Sequence, residues 1–377
     1  MKTRFRAVLI ASVLMAVILG GSMNIGAEAK TYNLAGVKKT VLRVSSALPV
    51  THVCWTGYYE PWMKKVTELT KGLVTFEVYK AGELVEGGKE YDGLTKGVID
   101  IAAPFTPIYD ASRFPMSDVC MLPLKKSNAV IGSKALELMV ASTTIIKDGK
   151  TFNQLEYLDK GVYVMPHNVA SESALNTVKK EFNTLADVKG TRIRVGSRIH
   201  QIYAQKVGFT PVSMPAYDLY DAMSRGAVDG SFIHVADWPA YGFQDLFKYS
   251  LTGLNFGHFG AFWSMTSKKW STLPPVLQEI FKDVSDEVRP VGAKIWDDKG
   301  IEVMKETQAK GARFVSMTSL NNDVRSLLSS KVVETWRDYI KMLEDEGRPG
   351  KAVVKLWAEC VVKAGGELPD GVADLLK

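Results

Sequence analysis

The chain has 377 residues, 46% hydrophobic and 23% charged, with a formal net charge of +6; this is ordinary globular composition, long enough for two domains with real cores. Charges of both signs are spread along it and no Lys/Arg-rich block is interleaved with aromatics, which argues against a nucleic-acid partner. Three cysteines, with no CxxC and no His/Cys cluster at zinc spacing, exclude a disulfide scaffold and a local zinc site.

Met1–Ala29 reads as a signal peptide: Lys2, Arg4 and Arg6 form a positive n-region, Ala7–Gly20 an apolar stretch, and Ala27-Glu28-Ala29 a small-x-small cleavage site. The mature chain is expected to begin near Lys30, exported and periplasmic. The apolar stretch is short for a membrane span of about 20 residues, and no later stretch is long and apolar enough. Cleavage lowers the net charge from +6 to +4, which suits an anionic ligand.

Val41–Ala47, Leu73–Tyr79 and Ile99–Phe105 read as strands, with helices over Trp55–Thr70 and Glu90–Lys96 between them. That βαβαβ rhythm predicts a parallel sheet flanked by helices. The rhythm restarts at Gly161–Pro166, so two α/β lobes are expected. Cys54 and Cys120 fall in the first and are the expected disulfide pair if one forms; Cys360 lies apart. In the second lobe, Gly190 closes a turn, Thr191–Val195 alternates as a strand, and Ile199–Val207 has helical spacing. Tyr217–Arg225 is helical, Gly226 ends it, and Val228–Val235 reads as another strand. Gly260–Met265 is expected to return to the first lobe. Pro274-Pro275 then opens a helix whose apolar positions Val276, Ile280, Val284 and Val288 continue past Pro290, predicting one long helix kinked there. A strand at Ala312–Met317 and helices at Ser330–Glu344 and Ala352–Ala364 close the chain.

Arg194 stands near the carboxyl end of a strand, where open α/β sheets face their ligand crevice. A guanidinium offers a planar fork of donors matched to the two oxygens of a carboxylate. The flanking Arg192 and Arg198 are assigned to solvent.

The runs K-G-T-R-I-R-V (189–195), V-G-F-T-P-V-S-M-P (207–215) and Y-D-A-M-S-R-G-A-V-D-G (220–230) resemble the solute-binding proteins of tripartite ATP-independent periplasmic (TRAP) transporters, the DctP-like family. A-G-E-L at 81–84, K-G-V-I-D-I-A-A at 96–103 and M-L-P-L at 121–124 match the same pattern. The resemblance implies a two-lobed periplasmic binding protein fold with hinge strands and a long helix spanning both lobes. Lobe I would take residues 30–158 and about 258–290, lobe II 159–257 and about 291–330, with 331–377 as C-terminal helices packed on them. It also implies that Arg194 binds the ligand's carboxylate. The other pocket positions fall near Ala47, His52, Trp55 and Phe105 from lobe I, and Ser173, Ala216, Tyr217 and Ile233 from lobe II. The partners implied are a small-molecule carboxylate and two integral membrane permease subunits, one small and one large; a monomer without a cofactor is expected.

Where sugar-acid members of that family show D-G-Q-E-N-P, this chain reads Asp229-Gly230-Ser231-Phe232-Ile233-His234. Ile233 replaces an amide, Phe105 an acidic residue, and a residue near Ser173 a second arginine. A polyhydroxylated or doubly charged ligand would leave polar groups unpaired there, at about 1 to 3 kcal/mol each. The expected ligand is therefore a monocarboxylate with an apolar or aromatic body, with Trp55, Phe105, Tyr217 and Trp238 as candidate contacts. His52, His167 and His234 are candidate hydrogen-bond partners for a hydroxy or keto oxygen, whereas His200 and His258 read as ordinary helix and strand residues. A binding protein for an ATP-driven importer, or a sensor, shares the architecture and is the alternative. An exported hydrolase is disfavoured: the chain has no GxSxG, no HExxH and no glycine-rich phosphate loop, and Ser171-Glu172-Ser173 lacks a nucleophile elbow's setting.

Overall fold

Two sheets organise the computed structural model, which describes residues 30–377. The expected signal segment, Met1–Ala29, lies outside the described residues. The first sheet runs in the order Val74–Tyr79, Thr40–Ser45, Ile101–Phe105, Phe262–Thr266, Val162–Pro166. Its first three strands are parallel, because each is reached through a crossover containing a helix, Glu60–Leu69 or Glu90–Thr95. Phe262–Thr266 then enters antiparallel between Ile101–Phe105 and Val162–Pro166. The second sheet runs Arg313–Ser316, Tyr249–Thr252, Ser173–Thr177, Gly230–His234, Arg192–Val195, Thr210–Ser213.

Two strands depart from expectation. Val162–Pro166, expected to open the second lobe, is an edge of the first sheet, since its partner Phe262–Thr266 arrives from far along the chain. Ser173–Thr177, where the sequence predicts no strand, is a fully buried strand near the centre of the second sheet. Its polar residues carry no alternating pattern, yet Asn176 at its centre is satisfied inside. Asn176 Nδ2 donates to the carbonyls of Ile233 (2.9 Å) and Ala174 (3.0 Å), and Ser250 Oγ donates to Asn176 Oδ1 at 2.7 Å.

The chain passes between the sheets along two adjacent segments: Leu124 and Asn255 form an antiparallel bridge, and the His258 amide donates to Cys120 O at 2.8 Å. Gly257 has φ +74°, and a Cβ there would lie 2.5 Å from the Met121 carbonyl carbon. Gly257→Ala is therefore expected to cost about 2 to 5 kcal/mol, combining left-handed strain with a backbone clash. Urea unfolding midpoints of the two proteins check this.

The helix Pro275–Ala309 is continuous for 35 residues through Pro290, which forfeits one backbone hydrogen bond without ending it. On one side Trp62 Nε1 donates to Ser285 Oγ (2.9 Å) and Phe281 O (3.2 Å). Further on, Val303 packs among Leu219, Ile233, Trp238 and Phe247 of the second sheet's layers. One helix thus braces both. Its Asp297 Oδ1 also accepts from the Ala129 amide (2.8 Å), helping to cap the helix Ala129–Val140, which the sequence reading passed over. The helix expected at Ser330–Glu344 is longer, Asn322–Asp345, and Gly350–Lys363 follows it. Among the described residues no helix is long and apolar enough to cross a membrane.

The three cysteines are buried and free, so Cys54 and Cys120, the pair named should a disulfide form, are not bonded to each other. Cys54 Sγ lies 3.6 Å from His167 Nδ1, and Cys120 Sγ instead donates to Ser117 O at 3.3 Å.

Candidate functional site

Strand ends and loops from both sheets converge on a small cavity of about 90 Å³. From the first sheet's layers come Ala47, His52, Cys54, Thr106 and Tyr109; from the second come Ser173, Arg194, Ile233, His234 and Asp237, with Trp296 reaching in from the brace helix. Most of this wall is apolar.

Arg194 is 4% exposed and sits in a strand held by parallel neighbours on both sides. Its Nε donates to Met214 O at 2.8 Å, while Nη1 and Nη2 reach only Phe232 O and the Tyr109 hydroxyl, each at 3.5 Å. Contacts at that length contribute little. No carboxylate among the described residues lies within ion-pair distance of it. A buried cation without a counter-ion is costly unless something neutralises it, so the two terminal nitrogens mark a place for an anion.

Gly196 lets the guanidinium lie where it does: a Cβ there would stand 2.9 Å from Nη1, 3.0 Å from Nη2 and 3.1 Å from Cζ. The obstructed atoms end a flexible side chain, so the fold should tolerate Gly196→Ala while the fork is pushed aside. Expected is roughly a tenfold loss of affinity for the bound acid with little change in melting temperature, measured by calorimetry and thermal denaturation.

Four histidines line the cavity, and burial holds each neutral: His52, His167 and His234 are lowered to about 3, His200 to about 4. They supply donors and acceptors without charge. His52 Nδ1 accepts the Cys54 amide at 3.1 Å, so the ring's proton is on Nε2. That nitrogen lies 3.5 Å from Asp237 Oδ1. Burial raises Asp237 to about 7, against the opposing pull of the Trp296 indole and Arg194. Several buried polar atoms around the cavity have no protein partner, among them Ser173 Oγ, His167 Nε2, His234 Nδ1 and Trp296 Nε1. Among the described residues no group of three or more His, Cys, Asp or Glu is placed to hold a metal ion.

Of the residues singled out from sequence, Ala47, His52, His167, Ser173, Arg194, Ala216, Tyr217, Ile233 and His234 are brought together on this cavity. Tyr217 spans its mouth, its hydroxyl donating to Gly87 O at 3.4 Å. Trp55, Phe105 and Trp238 do not line it. Phe105 packs on Phe114 (centroids 5.1 Å apart), since successive strand residues face opposite ways and Pro104 and Thr106 take the cavity side. Trp55 lies against Tyr59 with the Lys80 ammonium 4.9 Å from its ring centroid, and Trp238 is stacked on Phe314 and tilted against Phe247 in the core.

Arg192 and Arg198 are not simply solvated. Arg192 grips Asp229 through Nη2 (2.7 Å) and Nε (3.2 Å), and Arg198 pairs with buried Asp118 and with Glu346. His258 is structural, bonded to Ala170 O and Ser127 Oγ, but His200 does face the cavity. Tyr109, Asp237, Tyr241 and Trp296 were missed. The strand-end rule applied to His234 would have reached Asp237, three residues on, but no local pattern aims Trp296.

Residues 44–341 match the family of bacterial extracellular solute-binding proteins, family 7. A monocarboxylate 2-oxoacid-binding periplasmic protein from Nostoc is 23% identical over 290 residues, covering 74% of this chain and 75% of its own. Two solved structures share the fold, each at 21% identity and over 86% of this chain. One is a marine metagenome TRAP solute-binding protein specific for aromatic acid ligands, bound to metahydroxyphenylacetate (TM-score 0.76, 99% of its chain). The other is a TRAP solute-binding protein from Rhodoferax ferrireducens with copurified benzoate (TM-score 0.74, 98% of its chain). With a match over most of its length and the two-lobed TRAP fold, the chain belongs to the family 7 (DctP) extracellular solute-binding proteins, which capture solutes and are not enzymes.

Proposed function

We propose that this protein captures a monocarboxylate with an apolar or aromatic body and delivers it to the small and large membrane subunits of a TRAP transporter. The observation that carries the ligand class is the buried guanidinium of Arg194, short of partners and lining a small, largely apolar cavity. The acid's two oxygens would take its terminal nitrogens, and the body would lie against Ala47, Ala216 and Ile233 under the Tyr217 ring. Ser173, His52 and His234 would meet any oxygen the body carries. Residues from both sheets contribute, so a bound acid favours the arrangement with the lobes together. The 2-oxoacid and aromatic acid ligands of the relatives point to the same class. Cleavage at Ala27-Glu28-Ala29 would release the mature chain from Lys30 into the periplasm as a monomer.

Thermal shifts against matched acids and their amides test the reading. An aromatic or branched aliphatic monocarboxylate should raise the melting temperature by mass action while its amide does not. Equal shifts from acid and amide, or shifts from hexuronates alone, would refute it.

A further inference from the structure

Asp237 is 7% exposed, lines the cavity, and has no hydrogen bond from the protein to Oδ1. It stands where the chain leaves the strand Gly230–His234, in the short turn Val235–Asp237 that precedes Trp238–Tyr241. The protein groups facing it are donors. The His52 Nε2–H points to it from 3.5 Å, with the tautomer dictated by the Cys54 amide on the ring's other nitrogen. His52 cannot readily turn, since its ring lies edge-on between Tyr241 and Trp296, each 5.7 Å away between centroids. Trp296 Nε1 can only donate, and the positive field of Arg194 offsets part of the burial that raises Asp237. A carboxyl set among donors is an acceptor, and one facing a cavity has acceptor capacity to spare.

We propose that Asp237, steadied by His52, is a second recognition point that accepts a hydrogen bond from a hydroxyl or ammonium group carried by the bound acid. This rests on the carboxylate reading above and narrows it: the preferred ligand is a hydroxylated or aminated monocarboxylate rather than a plain one. Arg194 and Asp237 then read the two polar ends of one small molecule, and the apolar wall between them reads its body. A ligand without the donor leaves Asp237 desolvated and unmatched, which is the larger part of the discrimination.

Calorimetry on the mature protein tests this with phenylacetate, mandelate, 3-hydroxyphenylacetate and phenylglycine, with phenylacetamide as the control lacking a carboxylate. The same substitutions on a branched alkyl body (4-methylpentanoate, its 2-hydroxy acid and leucine) form a parallel series, and the hydroxyl and ammonium arms identify the donor. At least one donor-bearing acid should bind about tenfold or more tighter than its parent, the range for a hydrogen bond to a charged group. In Asp237→Ala that ratio should fall to near unity. Asp237→Asn, which keeps the shape, should also lose it: its carbonyl turns to His52 Nε2–H, leaving the amide nitrogen, a donor, toward the cavity. If every parent acid binds as tightly as its donor-bearing relatives, or the ratio survives in both variants, the inference is wrong. Loss of parent-acid binding in Arg194→Ala would then show that the carboxylate reading still stands. If no acid of either series binds, that reading fails and the inference with it.

Discussion

Arg194→Ala should lose about 2 to 5 kcal/mol of binding to the acid, roughly thirtyfold to several thousandfold in affinity, the range for removing one partner of a buried charged pair. The free protein should not suffer in proportion. Its guanidinium is buried, has one good bond to Met214 O, and otherwise makes only 3.5 Å contacts. Removing it relieves an uncompensated buried charge, so the melting temperature of the ligand-free variant should hold or rise, as at other sites where function is kept at the expense of stability. Arg194→Lys should also bind poorly, because an ammonium cannot present two parallel donors and loses the Nε bond. Calorimetry with the best acid from a thermal screen, paired with melting curves of both variants, reads the two effects separately. Unchanged affinity in Arg194→Ala would dismiss the carboxylate assignment.

The second large effect is on stability against pH. Burial holds His52, His167 and His234 at about 3 and His200 and His258 at about 4, whereas unfolded histidine takes up its proton near 6.5. Below that value the unfolded chain binds more protons than the folded one, and stability falls as pH falls. Glu90, Glu172 and Asp237, raised by burial to about 7, act with the opposite sign. Their folded forms hold protons that unfolded carboxyls release above about 4, adding stability on acidification. Burial raises Glu156 and Asp297 as well, so five raised carboxyls stand against five histidines and the two sets offset each other near neutral pH. Below about pH 5 the unfolded carboxyls protonate too and their compensation fades, so unfolding should take up protons net and stability should drop by on the order of 1 to 3 kcal/mol per pH unit. Urea midpoints at pH 7, 5 and 4 measure the slope, and a flat or rising profile from pH 5 to 4 would contradict it. A bound acid that pairs with Arg194 adds stability at every pH without removing the histidine dependence.

The alternation of Thr191–Val195, the helical spacing beyond it and the glycine punctuation are local properties, and they are enough to place Arg194 near a strand end. The same holds for the three parallel strands of the first sheet and for the long helix, whose apolar repeat runs past Pro290. Motif resemblance carried the family and singled out Arg194, because the guanidinium and its flanking turns are contiguous in the chain. What folding alone decided is which side of each element faces the cavity and which distant segments meet there. Phe105, Trp55 and Trp238 turned to the cores, because an aromatic's burial is favourable on either face and only the neighbouring layer chooses between them. Asp237, Trp296 and Gly196 acquired their roles from the space around them: a donor-lined wall, a brace helix crossing behind it, and a missing Cβ that makes room for the charge. Pairing between segments far apart in the chain, such as Val162–Pro166 with Phe262–Thr266, leaves no periodic trace in either segment, so the boundary between the lobes was a tertiary fact.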